Sequence, residues 1–152
     1  MRAWRIAKHK FALDRSGAGA YQHGGRWNNA GMHAIYAGLT PEIAALEKLI
    51  HTGDILPADL VLVLIELPDD ATLYETLALA ALPAGWNELP SSVAAASLGS
   101  SFLMKGKQLG LIIPSVVIPE ASNIMINPHH PDFTSVTMNI VRPFKFDSRF
   151  RP

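Results

Sequence analysis

The chain has 152 residues, 49% hydrophobic and 17% charged, with thirteen basic side chains, thirteen acidic ones and no cysteine. That composition describes one domain with enough apolar material for a core. It excludes long disorder, disulfide and thiolate chemistry, and a global field that would gather nucleic acid or an anionic membrane. So much apolar material with so few surface charges also points to a buried interface with a partner.

Reading along the chain, MRAWRIAKHK has no apolar core of signal-peptide length, and WRI at 4–6 predicts a short first strand. Arg2, Arg5, Lys8 and Lys10 come with no acid among them, and Arg142, Lys145, Arg149 and Arg151 return near the end. These make a basic region if the two ends meet, and scattered surface charge otherwise. Residues 14–31 are rich in Gly, Ser, Asn and Asp and predict a long loop or loose hairpin. Such a segment inside a compact domain is often functional. Its end, GGRWNN, sets Arg26 and Trp27 among turn-formers, and AIYAG at 34–38 predicts a strand ending at Gly38.

TPEIAALEKLIHTG carries the clearest helix signal. Thr40 suits the N-cap, Pro41 the first helical position, Glu42 the positive end of the dipole and Gly53 the stop. Ile43, Leu46 and Ile50 recur at helical spacing and predict the core-facing stripe. Between Glu42 and Glu88 stand nine acids and one base, Lys48. LVLVLIEL at 60–67 predicts a buried strand, too short to span a bilayer. A second helix is predicted from about Ser92 to Lys105, with Ser91 or Ser92 as its cap and Gly106 as its stop. LGLIIP, SVVIP, NIMINP and TSVTMNIVRPFKF follow as predicted strands. Strands outnumber helices in irregular order, so the expected fold class is α+β, a single mixed domain over 1–152 around a β-sheet.

Glu47 is the most informative single residue. It lies within about 40–60° of Ile43 and Ile50 on the helix, at the edge of the apolar stripe, while Lys48 is expected to point away. A carboxylate aimed at a core boundary is costly unless paired or used. Arg26 among glycines can grip a phosphate in bidentate fashion, and Arg5 in the first strand is a second candidate for an anion. Tyr36 can stack on a ring, and the Ser115 hydroxyl after Pro114 can bond a ligand. For each of these, an ordinary structural role is the competing reading. Ser115 lacks the glycine pattern of a nucleophile elbow, no Walker or dinucleotide glycine motif occurs, and NPHHPD with its adjacent histidines lacks zinc-type spacing, so no metal site is expected.

WRI, GGRWN with AIYAG, ALEKLIH, IPSVVIPE and NIMINPHHPDF, in this order and over nearly the whole chain, resemble the RES domain, the toxin of bacterial RES–Xre toxin–antitoxin pairs. The family takes its name from an Arg, a Glu and a Ser, and the best matches here are Arg26, Glu47 and Ser115. The resemblance implies a fold like that of ADP-ribosyltransferases. It implies a cytoplasmic toxin that depletes NAD by cleaving the nicotinamide–ribose bond, through hydrolysis or phosphorolysis. NAD is then the substrate, with no prosthetic group. The implied partner is an Xre-type antitoxin covering the active site, with an oligomer formed in that complex and no direct nucleic-acid binding by the toxin. In this scheme Glu47 stabilises the oxocarbenium-like transition state or holds the ribose hydroxyls. Arg26 binds the pyrophosphate, with Arg5 assisting, and Tyr36 stacks on nicotinamide or its ribose. Ser115 positions the ribose or the nicotinamide amide, and Asn127 joins the substrate-binding set. ADP-ribosyl transfer to a macromolecule is the alternative activity, a catalytically inactive partner-binding module is an alternative of another class, and a ribonuclease using His129 or His130 is the most remote.

Overall fold

A computed structural model describes residues 1–53 and 55–150. Asp54 of the acidic stretch and Arg151 of the basic end lie outside the described residues. Seven strands form one sheet: β1 (Arg2–Lys8), β2 (Ile35–Gly38), β3 (Leu60–Glu66), β4 (Tyr74–Thr76), β5 (Gly110–Pro114), β6 (Ser122–Ile126) and β7 (Thr137–Phe144). Their order is β4-β5-β6-β2-β1-β3-β7. Only the β4–β5 pair is parallel. Three α-helices accompany the sheet among the described residues: α1 (Ala18–His23), α2 (Pro41–Ile50) and α3 (Val93–Lys105).

Alternation along the strands gives the sheet two differently used faces. Ala3, Ala7, Ile35, Ala37, Val61, Val63, Ile65, Ile124 and Ile126 form a single apolar cluster with Leu109, Phe133 and Val136. On the other face, Leu111, Ile113 and Met125 pack with Ala95, Phe102 and Leu103 of α3 and with Trp27. Trp4 and Ile6 on that face pack with Ala45 and Leu49 of α2. Both long helices therefore cover one side, and the segment at 24–38 is wedged against α3.

Local chemistry explains the helices. The Thr40 side chain accepts from the Ile43 N–H at 3.3 Å, with Pro41 in the first turn. Ser92 does the same for Ala95 at 3.2 Å, and α3 stops at Gly106 in the left-handed conformation at φ 58°. Gly38 sets how close α2 comes to the sheet. A Cβ there would stand 2.7 Å from the Ala44 nitrogen and 2.5 Å from Ile43 Cγ2, so only glycine lets the helix lie on β2.

Several sequence expectations are corrected. The 14–31 segment contains α1 rather than loop alone. SVVIP is a turn, not a strand, because Ser115 is bonded into its own chain reversal. The short β4 carries too little pattern to be foreseen. α2 ends at Ile50 with His51 as its cap, before Gly53. Ile50 is 51% exposed, since α2 turns Ala45 and Leu49, not Leu46 and Ile50, toward β1. The same rotation brings Lys48 partly under cover, where burial, then Lys8 and Arg5, pull its pKa down. The basic ends of the chain are not neighbours, because β3 runs between β1 and β7.

Gly38→Ala is expected to lose about 1–3 kcal/mol of stability through overpacking of α2 on β2. Urea unfolding of the two proteins checks it. A difference below about 0.5 kcal/mol would show that α2 lifts off without strain.

Candidate active site

Residues 24–38 form a tight reversal. The Gly25 N–H donates to the Asn28 carbonyl at 2.9 Å, placing Arg26 and Trp27 at the corner. Trp27 turns inward, buried, 6.2 Å from the stacked Trp86 ring. Its carbonyl lies where a Cβ on Gly99 of α3 would stand, 1.9 Å away, so the corner is seated directly on α3. Asn28 is almost wholly buried and organises the loop. Its Nδ2 donates to the carbonyls of Ala20, Asn29 and Met32, and its Oδ1 accepts from Tyr36 Oη at 2.7 Å. Gly25 is needed for this contact, since its Cβ would sit 2.9 Å from Asn28 Oδ1.

Arg26 turns outward. Its Nη1 donates to the carbonyls of Trp86 at 2.8 Å and Glu88 at 2.9 Å, tying this corner to the 86–88 segment. Burial lowers its pKa and the negative charge of Glu47 raises it, so the two side chains share one electrostatic environment. A cleft of about 470 Å³ opens beside Arg26, lined also by His23, Asn29, His51, Leu89 and Ser92 among others; Glu47 meets it only through its neighbour His51. That volume suits a small-molecule site.

Glu47 reaches from α2 to the sheet. Its Oε1 accepts from Ser115 Oγ at 2.8 Å and from Asn123 Nδ2 at 2.6 Å. Its Oε2 faces His51 Nε2 at 3.8 Å, beyond hydrogen-bond length, and the side chain is 23% exposed. Ser115 is fully buried, and its Oγ also accepts from the N–H groups of Val117 at 3.0 Å and Ile118 at 3.3 Å. With both acceptor positions used, the one hydroxyl proton goes to Glu47.

The other candidates are dispersed. β1 and β2 pair at a single position, Trp4↔Gly38, and Arg5 follows at the point where the strands part. Its guanidinium has no hydrogen-bond or ion-pair partner among the described residues. Burial lowers its pKa and Asp14 opposes that shift. Tyr36 packs partly buried against the α3-side cluster. Asn127 is buried at the far end of β6, with Nδ2 on the Leu103 carbonyl at 3.4 Å and Oδ1 on the His129 N–H at 3.0 Å. His130 is similarly engaged, with Nε2 on the Lys107 carbonyl. The structure thus brings together Glu47, Ser115 and, through its charge, Arg26, but does not bring Asn127 to them. Sequence reasoning missed Asn123 and Asn28. The only available signal for Asn123 was its even spacing from Met125, which is useful only once the helix-bearing face is known.

This chain belongs to the RES domain family, whose model matches residues 2–147. A protein of Sphingobium sp. named Prs ADP-ribosylating toxin is 38% identical to it over 151 residues, covering 96% of this chain and 94% of that one. A Toxin Res of Pseudomonas putida is 36% identical over 149 residues, covering 96% and 97%. Another Toxin Res, from Photorhabdus laumondii, is 33% identical over 149 residues, covering 96% and 94%. Among solved structures, the M. tuberculosis MbcT–MbcA toxin–antitoxin complex holds a chain similar in fold. Its TM-score is 0.67 at 17% identity, over 99% of this chain and 86% of that one. No helix among the described residues is long and apolar enough to cross a membrane.

Burial raises the Tyr36 hydroxyl pKa far above its ordinary value of 10.0, against a smaller opposing effect of the Trp27 backbone N–H. Its stabilising contribution is therefore complete below about pH 10 and is lost as pH rises beyond it. Tyr36→Phe leaves Asn28 Oδ1 without its donor and is expected to cost about 1–3 kcal/mol at neutral pH. It should also flatten the alkaline loss of stability. Denaturant unfolding from pH 7 to 11 tests both effects, and parallel native and variant curves would contradict the alkaline one.

Proposed function

We propose that this protein is the toxin of a toxin–antitoxin pair and acts by breaking the nicotinamide–ribose bond of NAD. The observation that carries this reading is the Glu47 carboxylate, fixed by two donors on Oε1 with Oε2 left toward His51, which with Arg26 lines the cleft. The RES relatives named as toxins support it, as does the fold likeness to a chain of a toxin–antitoxin complex.

The chemistry needs little acid catalysis. Nicotinamide leaves with the electron pair of the C–N bond, and its cationic ring becomes neutral. The ribosyl carbon is left oxocarbenium-like, and a fixed carboxylate stabilises the developing positive charge or orients the ribose hydroxyls. Glu47 takes that role here. Arg26 supplies positive charge for the pyrophosphate, and Tyr36 holds the loop that carries it. An acceptor oxygen then bonds to the ribosyl carbon and gives up its proton. Water yields ADP-ribose, and phosphate yields its phosphorylated form. An Xre-type antitoxin that covers the cleft is the corresponding means of control.

A second reading has its own support. The Sphingobium relative is named Prs ADP-ribosylating toxin, which favours transfer of the ADP-ribosyl group to a macromolecule after the same bond is broken.

Purified protein free of antitoxin, incubated with NAD, is expected to release nicotinamide. Glu47→Gln should lower the rate by about 10²–10³-fold, the usual effect of removing one fixed electrostatic stabiliser. Chromatography with and without phosphate identifies a small acceptor, and label from adenine-labelled NAD retained on protein in a lysate identifies a macromolecular one. Undiminished turnover by a folded Glu47→Gln protein would overturn the role given to Glu47.

A further inference from the structure

We infer that Asn123 is a positioning residue of the active site, acting with Ser115 to hold Glu47, and that neither residue touches the substrate. The inference rests on the reading of Glu47 given above and adds how its carboxylate is aimed.

Asn123 lies on β6, in register with Gly38 of β2 and Ile113 of β5, on the helix-covered face. The glycine leaves α2 close enough for Glu47 to reach this row. The amide orientation is fixed by chemistry. With Nδ2 at 2.6 Å from Glu47 Oε1, the reversed amide would set oxygen against oxygen. Ser115 reaches the same oxygen from the β5–β6 turn, where the Ser115 N–H donates to the Ala121 carbonyl at 2.8 Å. Full burial and three filled hydrogen-bond positions leave its hydroxyl neither a proton for a ligand nor a route to one. The Ser115 hydroxyl is therefore not a nucleophile or a ribose contact.

Two donors on one oxygen restrain the carboxylate in rotation and direction. Oε1 is committed inward, and Oε2 is the oxygen turned to the exposed side, toward His51. Removing the Asn123 donor leaves Ser115 alone, about which the carboxylate pivots. Chemistry that depends on alignment within a fraction of an ångström is lost before binding is.

The test is nicotinamide release from NAD by the purified full chain, with kcat and KM resolved, for the native protein, Asn123→Ala, Asn123→Asp and Glu47→Gln. Asn123→Ala is expected to lower kcat by about 10–100-fold, the loss of one hydrogen bond to a charged group, with KM changing by less than about 3-fold. Asn123→Asp keeps the shape but sets a carboxylate against Glu47. The two then share a proton, so turnover survives only while that proton is bound and falls as pH rises, giving an alkaline limb the native profile lacks. The titratable and charged groups facing this pair are His51 at the end of α2 and Arg26 from the loop, unaltered in both variants, so the native profile is the reference for them. If Asn123→Ala unfolds, the isosteric Asn123→Asp profile decides alone. Native kcat in folded Asn123→Ala, or an Asn123→Asp profile parallel to the native one, with Glu47→Gln inactive, would overturn the positioning role and leave the site reading intact. Full turnover by Glu47→Gln would instead overturn that reading, and this inference with it.

Discussion

Glu47 Oε1 accepts two hydrogen bonds from residues 68 and 76 positions away in the chain, and most of the helix-covered face is arranged so that they can form. A carboxylate at a core boundary keeps its charge cheaply only when its lone pairs are met. Meeting them here requires α2 to lie low on β2, the β5–β6 turn to present Ser115, and β6 to carry a short amide donor in the row beside Gly38. The missing side chain at position 38 is the steric condition for the first of these. Ser115 satisfies both its own turn and the carboxylate, so the local geometry of the turn and the orientation of the acid are one constraint.

The second constraint is the corner at Gly25–Asn28. Its glycine permits the approach of Asn28 and Tyr36, and its tryptophan is locked between α3 and Trp86. Arg26 is thus held on a rigid corner although it belongs to an irregular segment. A guanidinium on such a corner loses little rotamer entropy on meeting an anion. Its bonds to the Trp86 and Glu88 carbonyls also draw the 82–90 region, which has little regular structure of its own, to the edge of the cleft.

Much of this was legible in the sequence because it rests on local chemistry. The Thr40-Pro41 start, the Ser92 cap and the Gly106 stop are encoded within a few residues of where they act. Glu47 stood out because its position conflicted with the helix pattern. The helical period alone puts Ile50 on the buried stripe, whereas the face a helix buries is decided by the sheet beneath it. Residues 18–23 lacked an apolar period, and SVVIP has strand composition but is bent by the Ser115 side chain. Asn123 and Asn28 were invisible for a different reason. A polar residue that serves a distant partner leaves no local mark, and only the strand register converts position 123 into a neighbour of 47.

The two arginines are not equivalent, although either one fits the sequence pattern. Arg26 spends Nη1 on two carbonyls, which are neutral, so its charge remains available while its fork of donors is partly committed. It acts on the site as a field and as a brace, and burial together with Glu47 tunes that field from opposite directions. Arg5 sits where β1 and β2 separate, and its guanidinium is uncommitted among the described residues. Burial weighs against its charged form more than Asp14 supports it. The single β1–β2 pairing at Trp4 and Gly38 lies beside both Arg5 and α2, since Arg5 follows it on β1 and the same glycine admits the helix bearing Glu47.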